Sequence, residues 1–369
     1  MVAADDLCRG IAGYGLRGTA MPLPQETLDG AAWHRLLEEA VRQRITGHLA
    51  LALEEDAFAA TDSQRTAASE AHERALGLDL LLERLLVASV GELQRAGIPV
   101  RVLKGAALAH TVYRFPSLRS FGDVDLLVPG SHYETAIETL CAGGGRRRYR
   151  EPRAGFDRRF GKGVCVEMPG GFEVDLHRSF VAGPFGLAVA TDDLFGTGAT
   201  FRVADRVLEC LDLEARLVHA CFHAALGSAE PRLVPLRDVA EIVVGTDVDA
   251  DRVRALCARW RCGIVVQRAM RVAWDTFALS AETTLVEWAR SYEPTSFERR
   301  ALRAYIGPGR SYARQALAGF QAVRGARAKA AYARALLAPD PAYVHERDGS
   351  YLRRFARAAR LLVDERTTR

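Results

Sequence analysis

Apolar residues recur every three or four positions early in the chain, alternate in its middle, and return to helical spacing afterwards. Trp33, Leu36, Leu37, Ala40, Val41 and Ile45 follow an i, i+3, i+4 pattern that predicts an amphipathic helix. A second stretch covers 63–96, with Leu78, Leu82, Leu85, Leu86, Val90 and Leu93 apolar and Gly97 just past its end. Residues 56–62 between them read as a loop.

At Ile98 the period changes. Ile98-Pro99-Val100-Arg101-Val102-Leu103 is a short β-type run closed by Lys104-Gly105. Residues 106–113 read as a short helix, 115–122 as a loop broken by Pro116, and 124–128 as a strand stopped by Pro129-Gly130. Ser131 is the expected N-cap of a helix over 133–141, with Glu134 completing a capping box and Gly143-Gly144-Gly145 ending it. Strands are expected over 164–167 and 172–176, joined by the hairpin signal Pro169-Gly170-Gly171. From about Asp205 the spacing is helical again, at 211–226, 235–244, 251–259, 263–279 and 283–292, followed by Arg-rich helices. The expected fold class is α+β. A helical region (1–97) precedes a small mixed-sheet α/β core (98–205) and an all-helical C-terminal domain (206–369) with an Arg-rich end.

Composition narrows this picture. With 369 residues and 49% hydrophobic content the chain can bury a sizeable core. It has no run of 18 apolar residues, and it opens with acid where a secretory leader carries base, so neither a membrane span nor a leader is expected. The seven scattered cysteines fit a reducing cytoplasm, and Cys257 and Cys262 lack a second pair at zinc spacing. From Arg299 onward 16 Lys/Arg stand against 5 Asp/Glu, although the whole chain is only +4. Such an end could attract RNA or simply form solvated helix faces. Tyr312, Tyr332, Tyr343, Tyr351 and Phe355 are interleaved there, which suits base stacking or helix packing alike.

The chemistry concentrates in the middle. In Gly122-Asp123-Val124-Asp125 two carboxylates at i and i+2 share one face of a strand, and their repulsion calls for a counter-charge, usually a divalent cation. In Phe172-Glu173-Val174-Asp175-Leu176-His177, Glu173, Asp175 and His177 share one face and Val174 and Leu176 the other. His219 and His223 stand at the i, i+4 spacing of zinc proteases. Ala220 occupies the place of the required glutamate, which leaves a structural or substrate-pocket role, with Asp238 as a further polar candidate. Gly13-Tyr14-Gly15-Leu16-Arg17-Gly18 spells a dinucleotide fingerprint, but no strand precedes it and Pro22 and Pro24 follow.

Taken together, Leu103-Lys104-Gly105-Ala106-Ala107-Leu108, then Leu118-Arg119-Ser120-Phe121-Gly122-Asp123-Val124-Asp125-Leu126-Leu127-Val128, then Val174-Asp175-Leu176-His177 resemble the uncharacterised nucleotidyltransferase family of the DNA polymerase β-like superfamily. Leu217-Val218-His219, His223 and Leu236-Arg237-Asp238-Val239-Ala240 resemble its helical segment, and 339–360 its closing segment. The resemblance implies transfer of a nucleoside monophosphate from a nucleoside triphosphate to an acceptor, with release of pyrophosphate. It implies that Asp123, Asp125 and Asp175 hold two Mg²⁺ ions, with Mn²⁺ as a substitute, and that Asp175 serves the acceptor hydroxyl. Lys104, Gly105, Arg119, Ser120 and Gly122 would meet the nucleotide, and Glu173, His177, His219, His223 and Asp238 would form the acceptor pocket. Where the wider superfamily has Gly-Ser in the first turn, this chain has Lys104-Gly105-Ala106, so cations would replace the hydroxyl contact. A small hydroxylated or amino compound is the expected acceptor. The alternatives are tRNA or a protein as acceptor, and a nucleotide-binding scaffold without turnover.

Overall fold

The computed structural model describes residues 4–306 and 310–354. Phe355, residues 355–360 of the closing segment and the side chain of Tyr312 lie outside the described residues.

Strands β1 (Arg101–Val102), β2 (Val124–Leu127), β3 (Arg146–Arg147), β4 (Gly163–Glu167), β5 (Glu173–His177), β6 (Ala199–Val203) and β7 (Arg206–Cys210) form one mixed sheet, ordered β3-β4-β5-β2-β1-β7-β6. Alternation sends Val164, Val166, Val174, Leu176, Val124 and Leu126 to one face. That face packs on Leu82, Leu86, Val90 and Leu93 of helix Asp62–Arg95 and on Tyr133, Ile137 and Leu140 of helix Tyr133–Ala142. Each fully buried Leu or Val there contributes about 1.5–3 kcal/mol relative to exposure.

The opposite face supplies Leu103 and Leu127 to a second core. This core is built from the C-terminal helices Leu213–Leu226, Leu233–Gly245 and Gly263–Phe277 together with the N-terminal helices Ala4–Gly13 and Gly30–Gln43. The two helical parts of the chain thus pack on each other. Helix Asp62–Arg95 ties them to the sheet, with Ala68 in the helical core and Leu82 onward in the sheet core. Its start is fixed by a capping box: Thr61 Oγ1 accepts from the Gln64 N–H, and Gln64 Oε1 accepts from the Thr61 N–H at 3.0 Å.

β2 and β5 are neighbours and run parallel, with Asp125 opposite Asp175 and Leu127 opposite His177. β1 lies antiparallel on the other side of β2. The β4–β5 turn follows the expectation, with Gly170 and Gly171 at φ +87° and +80°, and Gly97 past the long helix has φ +71°.

Three local readings change. Helical spacing was expected from Asp205, yet Arg206–Cys210 is a strand paired with Ala199–Val203. Its turn uses Ala204 at φ +51° instead of the glycine that would have announced a hairpin. Ser131 is not an N-cap. It lies in the 3₁₀ turn Gly130–His132 with its hydroxyl 3.0 Å from His132 Nδ1, and His132 occupies the cap position without a side-chain bond. The first periodic stretch is two helices, Gly30–Gln43 and Thr46–Glu54, because Arg44 turns left-handed at φ +59° between them. The glycine-rich 13–18 segment follows a helix, as the absence of a preceding strand required.

Candidate active site

The register of β2 on β5 brings three acids to one place. Asp125 and Asp175 are cross-strand partners, and Asp123 enters at the mouth of β2. The loop that delivers them is pinned from the long helix, where Asp79 Oδ1 accepts the Phe121 N–H at 3.0 Å. Burial pushes the Asp79 carboxyl up to about 6, even though the Phe121 and Ser120 hydrogen bonds pull it back. On the other side, Leu103 N–H donates to the Asp125 carbonyl at 3.0 Å, and Gly105 turns the chain at φ +48°. Lys104 is therefore held against the acids. Its Nζ lies 2.5 Å from Asp125 Oδ2 and 3.6 Å from Asp123 Oδ2.

Asp125 is the hub. Its Oδ2 meets Lys104 and its Oδ1 accepts from His177 Nε2 at 2.8 Å, while His177 Nδ1 faces the Ser179 carbonyl at 3.3 Å. Burial works to raise the Asp125 carboxyl, but Lys104 and His177 outweigh it and hold it well below the carboxylate range. Asp123 goes the other way: burial first, then Asp125, raise it. Burial would lower Lys104, yet Asp125 and Asp123 carry it above the ordinary lysine value. Asp175 is only loosely partnered, by Lys162 at 4.0 Å, and its side chain is 30% exposed. Ligand atoms of Asp125, Asp175 and His177 all lie within 4.8 Å of one another, close enough to hold one metal ion.

The other expected residues divide. His219 and His223 sit on helix Leu213–Leu226 within the electrostatic reach of Lys104 and Asp125. Burial lowers His219 to about 3 and holds His223 well below its usual range. His219 packs against Phe180 with ring centroids 4.6 Å apart and tilted by 50°, and the buried His223 Nδ1 has no partner among the described residues. Arg119 and Asp238, by contrast, are bound to each other. Arg119 Nε and Nη2 donate to the two Asp238 oxygens at 2.7 and 2.9 Å, and its Nη1 donates to the Ser120 carbonyl at 2.7 Å. The Tyr113 hydroxyl adds a third donor to Asp238 at 2.8 Å. Glu173 is taken by Arg148, and Ser120 is buried beneath the loop.

Two cations beside the acids were not read from the sequence. Lys162 opens β4, next to Asp175. Arg44 comes from the N-terminal helices. Its guanidinium lies so close to Gly122 that an added Cβ would collide with it, and it helps to lower Asp123. No carboxylate pairs with Arg44 among the described residues, so its charge faces the site unspent. Only the left-handed turn at Arg44 could have hinted at this, and a non-glycine residue in that conformation has no sequence signature.

Several acids, two of them part-exposed, with cations on their rim suit binding of a metal–phosphate complex. A cavity of about 500 Å³ between the C-terminal helices, lined by Arg268, Arg271, Trp274 and Asp275, contains none of these acids.

Comparison with known proteins follows the same direction. Residues 29–278, more than half of the chain, match the family described as uncharacterised nucleotidyltransferase. No curated protein matches. Similar solved structures include the solution structure of the antibiotic-resistance factor ANT(2'')-Ia, at 17% identity and TM-score 0.36, covering 50% of this chain and 92% of that one. The crystal structure of ANT(2'')-Ia in complex with adenylyl-2''-tobramycin gives 16%, 0.34, 48% and 96% in the same order. An antigenic nucleotidyltransferase-like protein from Paracoccidioides brasiliensis gives 14%, 0.33, 57% and 95%.

Proposed function

This chain belongs to the uncharacterised nucleotidyltransferase family, and from that premise we propose that it moves a nucleoside monophosphate from a nucleoside triphosphate to a hydroxyl or amine of a small molecule. The observation that carries this reading is the parallel register setting Asp125 beside Asp175, with Asp123 two residues upstream. The divalent metal implied by the family, Mg²⁺ or Mn²⁺, suits this donor set, since Asp125 and Asp175 offer hard oxygen ligands. When bound, such an ion neutralises phosphate charge and lowers the pKa of a coordinated hydroxyl.

The side chains have separate tasks. Asp125 and Asp175 would hold the metal, and His177 orients Asp125 through its 2.8 Å hydrogen bond. Asp123 completes the acidic edge. The acceptor oxygen or nitrogen bonds to the α-phosphorus as the α–β bridging P–O bond breaks, pyrophosphate leaves, and the acceptor proton passes to Asp175. Asp175 suits that role because its side chain is 30% exposed and its ion pair, to Lys162 at 4.0 Å, is long. Arg44, Lys104 and Lys162 supply positive charge for the phosphates as pyrophosphate departs. His219 and His223 line the acceptor side as neutral groups, consistent with their lowered pKa values. Seven unpaired cysteines, and no helix among the described residues long and apolar enough to cross a membrane, are compatible with a cytoplasmic setting.

The ion pairs of Lys104 with both aspartates favour a second reading, a nucleotide-binding scaffold without turnover. Incubation with each labelled triphosphate, Mg²⁺ and host extract separates the two. Pyrophosphate release that disappears in the Asp123→Asn, Asp125→Asn double variant supports transfer. Release that survives in it rejects the mechanism, and nucleotide binding with no release supports the scaffold.

A further inference from the structure

We propose that this site takes one divalent cation instead of two, and that the Lys104 ammonium permanently fills the second cation position. The inference rests on the nucleotidyl-transfer reading and specifies its metal centre. Two-ion phosphoryl transfer places its ions about 3.5–4 Å apart, bridged by shared carboxylates. Here the groups that would bridge them, Asp123 and Asp125, already share one cation, with Lys104 Nζ at 3.6 and 2.5 Å.

The geometry leaves no second site. Magnesium needs oxygen ligands at about 2.0–2.1 Å in a near-octahedral shell. An ion so close to both Asp123 and Asp125 would press against the ammonium that now bridges them. In a poorly hydrated pocket that repulsion is weakly screened. Lys104 cannot readily withdraw. Its side chain is 13% exposed, its strand is anchored by the Leu103 bond to the Asp125 carbonyl, and Gly105 turns sharply behind it.

What remains fits one ion. The cluster of Asp125, Asp175 and His177 excludes Asp123, and Asp175 has only its long contact to Lys162 to give up. Charge points the same way. Against three carboxylates, two lysines and one divalent ion already leave the centre positive by one, whereas a second divalent ion would leave it positive by three before any phosphate arrived. A lysine is a compact point charge on a fixed tether, so it supplies the charge of a metal without ligand exchange. This gives a chemical reason for a lysine at the end of β1, in a first turn that lacks the hydroxyl common in the wider superfamily.

Mn²⁺ alone, titrated into the full-length protein and followed by electron paramagnetic resonance, tests this. Wild type is expected to bind one Mn²⁺ per chain with the spectrum of an isolated ion. Lys104→Met should bind two and acquire the spin coupling of ions a few ångströms apart, while Lys104→Arg, which keeps the charge, should stay at one. Two coupled ions in wild type overturn the proposal without needing any variant, and a folded Lys104→Met that still binds one ion overturns it as well. If wild type binds no Mn²⁺, or if Asp125→Asn binds as wild type does, the nucleotidyl-transfer reading of these acids fails and takes the proposal with it.

Discussion

Two cation–carboxylate groups meet the segment that leads into β2, and they are built to opposite plans. Arg119 and Asp238 form a closed pair, one cation to one acid, bidentate, with the Tyr113 hydroxyl as an extra donor and both side chains under 5% exposed. The Lys104 group is open. Three acids share two lysines, and Asp123 and Asp175 each keep about a third of their side chain in solvent. Every charge in the first group is satisfied by the protein. The second has acid left over and access from outside, so it can gain from a ligand. Saturation and closure mark the structural pair, and incompleteness marks the chemical one.

Substitutions can break this contrast. Asp125→Asn should lower pyrophosphate release by about 10³-fold or more, since it removes the carboxylate that would hold the metal and that anchors Lys104 beside the transferring phosphate. Near-normal single-turnover release in this variant would place the chemistry elsewhere. Arg119→Met should instead act on stability, lowering it by about 3–5 kcal/mol because Asp238 is left buried and unpaired. Urea unfolding measures this, and a variant as stable as wild type but deficient in nucleotide binding would make Arg119 a ligand contact after all.

Asp79 gives a pH signature. Its native carboxyl is raised from 3.8 to about 6, so between those values the native state holds a proton that the unfolded state releases. Its contribution is present in full at the acid end and is lost as pH rises through about 6. Relative to Asp79→Asn, wild type should therefore lose up to about 3 kcal/mol between pH 4 and 7, because each tenfold fall in proton concentration across that window is worth about 1.4 kcal/mol. A pH-independent difference between the two proteins would rule out this assignment. The smallest effect is expected at the rim. Arg44→Gly preserves the left-handed turn and should raise the KM for the triphosphate about 10-fold, worth about 1.4 kcal/mol, with kcat nearly unchanged. Unaltered triphosphate KM would remove Arg44 from the site.

Much of the site was legible because its acids lie on strands with clear alternation. Val124, Leu126, Val174 and Leu176 bury one face, which forces Asp125 and Asp175 onto the other, and the hairpin glycines fixed where β5 begins. Strand pairing was not readable: nothing in the order of residues says that Asp125 faces Asp175 instead of sitting two strands away. Partner choice among charges was equally hidden. Lys104 and Arg119 look alike as basic residues near the acids, and only the arrival of Asp238 on a helix more than a hundred residues later gives Arg119 a partner of its own. Arg44 was invisible for the same reason, since the 30–43 helix and Gly122 meet only in three dimensions. The β6–β7 hairpin was lost to a turn with no glycine.

The parallel pairing of β2 with β5 also bears on how the chain matures. Asp125 and Asp175 stand 50 positions apart in sequence, and the β4–β5 hairpin can close long before β5 reaches β2. Non-local parallel pairing is slow, because loop-closure entropy is lost before the contacts form. The acidic edge therefore comes into being only when the sheet is complete, and an unfinished chain has no paired acids to offer an ion. Under the proposed function, metal and nucleotide would then bind the native state alone and stabilise it by mass action. Their affinity would be a readout of finished folding, and Lys104 keeps the newly joined acids from repelling one another from the moment the sheet closes.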